Sequence, residues 1–323
     1  MDVNNFRTVL KPIKSNQEIG LNDKILTIGS CFSDVLGHYL SRYKFNLLVN
    51  PFGTVYNPIS IFNYLDDFEF VDEHYSELDE NYFHFDAHSK FFAKEKSRLK
   101  SLLEIQKMEV NNYLKSANYL IITLGTSFVY TYNKTQKVVA NCHKVPQSEF
   151  TKNLLSLDEM SAAFQSAQKA INKINPHLKI LLTVSPVRHI KDGMEENSVS
   201  KSLLRIFCDD AAKQYENVSY FPSYEIMMDD LRDYRFYKPD MIHPNDVAEE
   251  YILNFFQEFF FGKSTKSHIN DWTKVLNAMK HNPFNLASEN HQKFIKYNLL
   301  ELDKFANMFD VSEEKKYFES QVV

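Results

Sequence analysis

The sequence is poor in the residues that mark several classes of protein. It contains three cysteines and seven glycines in 323 residues, and its longest apolar runs fall short of the roughly 18 residues that a membrane-spanning helix needs. The cysteines, Cys31, Cys142 and Cys208, have no CxxC spacing, which argues against a disulfide scaffold and a structural zinc site. The amino terminus resembles no signal peptide, so we expect a cytoplasmic protein that binds no membrane.

An excess of positive charge is also missing. Lysine and arginine total 37 against 42 aspartate and glutamate residues, which gives a net charge of −5, and 44% of the residues are hydrophobic. This composition is typical of a globular protein and speaks against nucleic acid as a partner. The length suits one large α/β domain with an extension.

Apolar runs alternate with amphipathic segments along the first 260 residues. Five buried strands are predicted, at 24–28, 46–53, 118–125, 178–184 and 218–223, and helical spacing separates them. This alternation predicts a parallel sheet that is covered on both faces. The pair "FVYTY" and "KVVA", joined by "NKTQ", predicts an appended β-hairpin.

Two regions depart from the alternation. Residues 66–95 are polar and aromatic without a clear period, which predicts a long loop or insertion. From residue 264 onward only helical patterns occur, in "HINDWTKVLNAMK" and "NHQKFIKYNLLELDKFANMF". We therefore expect one domain over 1–263 and a helical C-terminal extension over 264–323.

Chemically active residues follow the predicted strands. In a doubly wound sheet, ligands bind beyond the carboxyl ends of the strands. The residues found there are Gly29, Ser30 and Cys31, then Gly53, Thr54 and Asn57, then Gly125, Thr126 and Ser127, then Ser185, Pro186, Arg188 and His189, and finally Asp240 and His243. We expect these segments to converge on one cleft, in which Arg188 and His189 can bind an anion.

Asp240 and His243 have the spacing of an acid–base pair. An aspartate three residues before a histidine can accept the imidazole N–H while the other ring nitrogen faces a nucleophile. The alternative is a surface histidine with an aspartate that caps a helix. The strand, "GSC" turn and helix at the start of the chain favour the catalytic interpretation.

Several motifs together resemble known hydrolases. The glycine–serine turn after the first strand, the glycine after the second, "LGT" after the third and DxxHP near the end resemble the SGNH or GDSL-like hydrolases. Within that group, the chain resembles the GSCFA family over about residues 5–262, through "GSCF", "NPFGTVYNP", "NCHKVP", "SPVRH" and "SYEIMMDDLRDYRFYKPDMIHP". The resemblance implies a flavodoxin-like three-layer α/β/α fold, and hydrolysis or transfer of an acyl group from an ester, often on a carbohydrate.

The resemblance also suggests roles for individual residues. Laying "GSC" on the Gly-Asp-Ser turn of the larger group makes Cys31 the nucleophile, and a slip of one residue makes it Ser30. A cysteine at a helix N-terminus gains thiolate character from the helix dipole. Ser127 stands where the group carries an oxyanion-binding asparagine, and Gly53, Gly125 and the nucleophile's own amide remain as backbone donors.

Other candidate residues lie outside these turns. In "NCHKVP", Asn141 and His143 can bind a sugar or acyl carrier and Lys144 a phosphate or carboxylate, or the segment simply ends a hairpin. In "FHFDAHSKF", His84, Asp86 and His88 alternate, and the resemblance favours His88 and Ser89 as substrate contacts. Cys208 lies on an apolar helix face and is expected to be core.

Together, the motifs and the resemblance predict an acyl-ester hydrolase or acyltransferase that acts on a small-molecule or glycan ester. Such a scheme requires no metal and no organic cofactor. The first alternative is a non-catalytic module on the same fold that binds a sugar or acylated small molecule. The second is a thiol redox or metal protein, which needs Cys31 and Cys142 close together or joined by His88 and His143 in one cluster.

Overall fold

A computed structural model describes residues 8–11, 17–66 and 68–323. The strands are β1 (Lys24–Gly29), β2 (Asn46–Val49), β3 (Tyr75–Leu78), β4 (Asn81–His84), β5 (Tyr119–Leu124), β6 (Phe128–Tyr132), β7 (Lys137–Val139), β8 (Phe150–Leu154), β9 (Lys179–Val184) and β10 (Val218–Tyr220). The helices are α1 (Cys31–Arg42), α2 (Pro58–Asn63), α3 (Lys96–Leu114), α4 (Leu157–Ile174), α5 (Met194–Gln214), α6 (Ser223–Glu225), α7 (Asp246–Phe260), α8 (Lys263–Met279), α9 (Glu289–Phe305) and α10 (Ser312–Glu319).

The central sheet has five parallel strands in the order β10-β9-β5-β1-β2. These are the five strands that the sequence predicts. The chain first moves from β1 outward to β2 and then returns to β5 on the other side of β1, so the strand order reverses between β1 and β5. Ligands bind in open α/β sheets at such a reversal, outside the carboxyl ends of the strands.

Helices cover both faces of the sheet, as the alternation predicts. On one face, Leu26 and Ile28 of β1 join a core with buried residues of α2, α3, α4 and α5. On the other face, Gly37 of α1 lies directly against Val49 of β2, which is paired in register with Thr27. The fold is therefore a three-layer α/β/α arrangement.

Local signals set the ends of several elements. Asn57 caps α2, because its side-chain oxygen accepts the N–H of Ser60 at 2.9 Å, and Pro58 occupies the first turn. The second strand ends at Val49, four residues earlier than the sequence predicts. Asn50 then takes a left-handed φ of 38° and starts the turn.

Residues 66–95, for which a long loop or insertion is predicted, lie between α2 and α3 as an insertion that has regular structure of its own. This region contains an antiparallel hairpin in which Tyr75 pairs with His84 and Leu78 with Asn81. Both strands are four residues long and mix polar with aromatic side chains, so they show no period-2 alternation. The predicted hairpin β6–β7 is confirmed, and β8 adds a third strand beside β6.

The chain divides into two compact units. The larger contains Asn22–Ser41 and Phe45–Phe259, and the smaller contains Arg42–Lys44 and Phe260–Val323 together with 17–21. In the smaller unit, Trp272 is fully buried, donates its indole N–H to the carbonyl of Arg42 and packs against Phe305. In the described part of the chain, no helix combines the length and apolar character needed to cross a membrane.

Candidate active site

The turn between β1 and α1 depends on Gly29. Its φ is +140°, and a Cβ there would lie 2.1 Å from the carbonyl oxygen of Thr123 in the neighbouring β5. Its N–H donates to the side-chain oxygen of Asn50 at 2.9 Å. Only glycine suits this close approach, and the tight turn delivers Ser30 and Cys31 at the carboxyl edge of the sheet.

The two nucleophile candidates at this turn have different surroundings. Ser30 is 1% exposed, and its hydroxyl lies 2.9 Å from the hydroxyl of Thr123 and accepts the N–H of Phe32. Cys31 is half-buried and opens α1, where the first N–H groups have no intrahelical partner. Its Sγ lies 3.4 Å from the hydroxyl of Tyr56. The Ser30 hydroxyl is thus engaged inside the protein, and the Cys31 thiol faces a tyrosine hydroxyl.

Tyr56 was not singled out from the sequence. Burial raises the pKa of its hydroxyl, and the hydrogen bond to Cys31 and the charges of Cys31 and Asp34 raise it further. The phenol therefore keeps its proton at neutral pH. A protonated hydroxyl at this distance can donate to a Cys31 thiolate and stabilise it.

Asp240 and His243 form the predicted pair. The Nδ1 atom of His243 lies 2.8 Å from one carboxylate oxygen of Asp240. The other oxygen accepts the N–H groups of Ile242 and His243 at 2.8 and 3.0 Å. These backbone hydrogen bonds, first among the causes, lower the pKa of Asp240 to about 2. The aspartate stays ionised, and Nε2 of His243 is the nitrogen left for a reacting group.

One cavity brings the principal candidates together. It has a volume of about 270 Å³. Its lining residues come from the ends of β1, β5 and β9, from the segment between β2 and α2, and from the loop before α7: Ser30, Cys31, Tyr56, Gly125, Ser185, Val187, Arg188, His189, Ile190, Lys191, Ile242 and His243. We call it the Cys31 cavity. The predicted segments after β1, β5 and β9 therefore meet the segment that contains His243 in one cavity.

Apart from the amide of Cys31 itself, the predicted oxyanion donors are already engaged within the protein. The N–H of Gly125 donates to the carbonyl of Tyr56 at 2.8 Å, and that of Thr126 donates to the same oxygen at 3.1 Å. Gly53 is not part of the cavity lining, and its N–H donates to Asn50 at 2.8 Å. The Ser127 hydroxyl is fully buried and donates to Ser200. None of these N–H and hydroxyl groups is therefore a free hydrogen-bond donor in the Cys31 cavity.

Other predicted contact residues lie apart from this cavity. Asn57 is buried, and its amide is used in the α2 cap and in a bond to the carbonyl of Val139. His88 lies against Gly53 and accepts the N–H of Lys90. Burial, followed by the charge of Lys90, lowers the pKa of His88. These contacts give both side chains structural roles.

A second cavity, of about 370 Å³, gathers Ser89, His143 and Lys144 with the rings of Phe83 and Phe92. His143 is buried, stacks on Phe83 and lies with Nε2 2.7 Å from the carbonyl of His84. Asn141 supports this segment by accepting the N–H of His143. This second cavity shares no lining residue with the Cys31 cavity.

The remaining cysteines lie elsewhere. Burial raises the pKa of the Cys142 and Cys208 thiols, and Cys208 is fully buried as expected for core. Cys142 lines neither cavity. Over the described ranges, no three His, Cys, Asp or Glu side chains are grouped as a metal would need, so the cluster that the metal hypothesis required does not form there.

Lys201 is a further residue that sequence patterning missed. It lies on α5, is 1% exposed, and donates from Nζ to the carbonyl of Ser185 at 2.8 Å. Burial lowers its pKa to about 7. The available signal was its spacing, because Lys201 shares one face of α5 with the buried residues Leu204 and Cys208.

Comparisons with known proteins match both parts of the chain. The model of the GSCFA family matches residues 24–256, and the model described as "GSCFA domain protein, C-terminal domain" matches residues 272–323. No curated protein sequence matches the chain. A solved structure described as "The structure of a putative platelet activating factor from Streptococcus pneumonia" is similar at a TM-score of 0.39 and 10% identity, over 73% of this chain and 83% of that one. A likeness this weak says nothing about activity.

Proposed function

Because the chain belongs to the GSCFA family, whose motifs resemble those of SGNH-like hydrolases, we propose that it is an acyl-ester hydrolase or acyltransferase. The observation that carries this proposal is the shared cavity: Cys31 and His243 both line it, and Asp240 holds Nδ1 of His243. A nucleophile, a base and a group that orients the base are the parts that acyl transfer needs.

The first half of the reaction acylates the enzyme. Nε2 of His243 takes the proton of Cys31, and the thiolate attacks the ester carbonyl, forming a C–S bond while the carbonyl π electrons move to oxygen. The oxyanion collapses, the C–O bond to the leaving group breaks, and the departing alkoxide takes the proton from His243. Asp240 stabilises the imidazolium that exists between these two proton transfers.

The second half regenerates the thiol. His243 takes a proton from water, the resulting hydroxide attacks the thioester, and the C–S bond breaks so that an acid is released and Cys31 recovers its proton. An alcohol, such as a sugar hydroxyl, gives transfer in place of hydrolysis. Neither half requires a metal or an organic cofactor.

Turnover of 4-nitrophenyl acetate by matched variants tests this proposal. Cys31→Ala removes the nucleophile and His243→Ala the base, so each lowers kcat/KM by roughly 10²- to 10⁴-fold. Cys142→Ala is the matched control, because it deletes a thiol outside the cavity, and it keeps the parent rate. Equal rates in all four proteins would contradict the proposal.

One observation favours a second function, a non-catalytic binding module for a sugar or an acylated small molecule. The N–H groups of Gly53 and Gly125 and the hydroxyl of Ser127 are bound within the protein, and the loss of one oxyanion donor costs on the order of 10²- to 10³-fold in rate. The Cys31 amide at the start of α1 is then the donor on which catalysis depends. Saturable ligand binding in calorimetry without any covalent adduct would favour the module.

A further inference from the structure

The Cys31 cavity has a one-sided charge. Arg188 and Lys191 line it, and no aspartate or glutamate is among its lining residues in the described part of the chain. The one nearby carboxylate of the proposed machinery, Asp240, is held by its own backbone N–H groups and by His243. A molecule that enters the cavity therefore meets two cationic side chains and no carboxylate in the described part of its wall.

Arg188 is positioned for a ligand. Its guanidinium carbon lies 4.0 Å from the ring centre of Tyr237 and 5.1 Å from that of Tyr234. Its backbone N–H donates to the carbonyl of Ile242, next to His243. Over residues 8–11, 17–66 and 68–323, no carboxylate pairs with this side chain and its buried Nε has no hydrogen-bond partner, while the guanidinium also interacts with the hydroxyl of Tyr237. Stacked guanidinium groups keep their edge N–H groups available for an oxyanion.

Burial and positive charges around the cavity both lower the pKa of His189. Its ring lies in the cavity wall beside Tyr56, with ring centres 5.2 Å apart. Burial lowers its pKa to about 4, and the charges of Lys201, Lys152 and Lys191 lower it further, against the opposing charge of Asp192. The imidazole is therefore neutral at pH 7. It adds no charge of its own, and its ring N–H can donate a hydrogen bond to an anion.

We propose that the acyl donor carries an oxyanion, either a carboxylate or a phosphate, close to the scissile bond, and that Arg188 binds it. This inference rests on the proposed function and names the substrate class for it. The cavity volume of about 270 Å³ lies just below the ~300–1,000 Å³ typical of ligand pockets. A cavity of that size suits a short acyl group with an anionic substituent.

Two matched pairs of substrates test the inference and distinguish a carboxylate from a phosphate as the bound oxyanion. The carboxylate pair is 4-nitrophenyl hydrogen glutarate and neutral 4-nitrophenyl pentanoate, which have acyl chains of equal length. The phosphate pair is the S-acetyl thioester of 2-mercaptoethyl phosphate, whose phosphate lies close to the thioester, and the neutral S-acetyl thioester of 2-methoxyethanethiol. The ratio of kcat/KM within each pair reports the contribution of the anion, with the neutral compound as internal reference.

Arg188→Leu, Arg188→Lys and a control, Arg98→Leu, are compared with the parent. The parent prefers the anionic member of one pair by roughly 10- to 100-fold, the value of a charge-assisted hydrogen bond. Arg188→Leu loses that preference, and Arg188→Lys keeps part of it because a point charge remains. Arg98 is exposed on α3, so its replacement leaves the ratio unchanged.

The outcomes separate the inference from the function. Equal rates within both pairs for the parent, or a preference that survives Arg188→Leu, would overturn the inference while acylation of Cys31 by the neutral esters still supported the function. If no compound acylates the protein, the function fails, and calorimetry decides the inference. Tighter binding of glutaric acid monoanilide than of pentananilide, or of 2-methoxyethyl phosphate than of 1,2-dimethoxyethane, lost in Arg188→Leu, supports the anion site, and equal binding within both pairs overturns it.

Discussion

Two neighbouring side chains at the β1–α1 turn have different roles because their hydrogen-bond partners differ. Ser30 and Cys31 are adjacent, yet the Ser30 hydroxyl is bound to Thr123 across the sheet while the thiol lies beside Tyr56. Sequence alone leaves both open as nucleophiles, since the choice depends on contacts 25 and 93 positions away. The Asp240–His243 pair is readable from the sequence because both partners lie on one short loop.

Lys201 gives the wall of the Cys31 cavity an internal, titratable support. Its folded-state pKa of about 7 lies well below the ~10.4 of an unfolded lysine. Between these values the unfolded chain holds one more proton than the folded chain, so stability rises with pH, by up to ~1.4 kcal/mol per pH unit. Below pH 7 both states are protonated, and the buried charge is most costly.

We therefore expect Lys201→Met to change the pH dependence of folding. In the parent, this side chain makes the free energy of unfolding rise between pH 7 and pH 9, and the variant lacks that contribution. Urea unfolding at pH 6, 7.5 and 9 measures the difference. Lys169→Met, a change on the exposed side of α4, is the control and keeps the parent slope. Identical slopes for the parent and Lys201→Met would refute the assignment.

Packing of α1 on the sheet depends on a missing side chain. A Cβ on Gly37 would lie 2.6 Å from both methyl groups of Val49, so the glycine lets the helix approach β2 closely. Overfilling such a contact costs typically ~1–3 kcal/mol, which exceeds the roughly 1 kcal/mol that alanine gains over glycine in a helix.

Gly37→Ala is therefore expected to lower the free energy of unfolding, and Val49→Ala to relieve the clash. The double variant is then more stable than the sum of the two single changes predicts, by ~0.5–3 kcal/mol of coupling. Chemical denaturation of the four proteins measures this. Strict additivity would mean that α1 does not rest on Val49.

Elements differ in how well their sequence predicts them. The three inner strands β1, β5 and β9 are buried on both faces, and their apolar runs are visible without any partner. The hairpin β3–β4 escaped prediction because residues such as Tyr75 and His84 gain their place from each other and from the core beneath them. The third strand beside β6 was missed for the same reason, since its partners lie far back in the chain, from Tyr132 paired with Phe150 to Phe128 paired with Leu154.

The whole molecule decides which predicted residues meet. The strand order places the turns after β1, β5 and β9 at one edge, and this brings Cys31, Arg188 and His243 into one cavity. The same topology leaves Ser89, His143 and Lys144 at a different cavity, although their motifs look equally functional in the sequence. Tyr56 and Lys191 enter the site only through tertiary placement, which no local pattern encodes.

The position of the acyl group after reaction with an activated acetyl ester tests the central claim most directly. Intact mass and peptide mapping of the parent and of His243→Ala give both the modified residue and its rate of formation. The account predicts an acetyl adduct on Cys31 that forms quickly in the parent and slowly in the variant. An adduct on another residue, equal labelling of both proteins, or no adduct at all would contradict it.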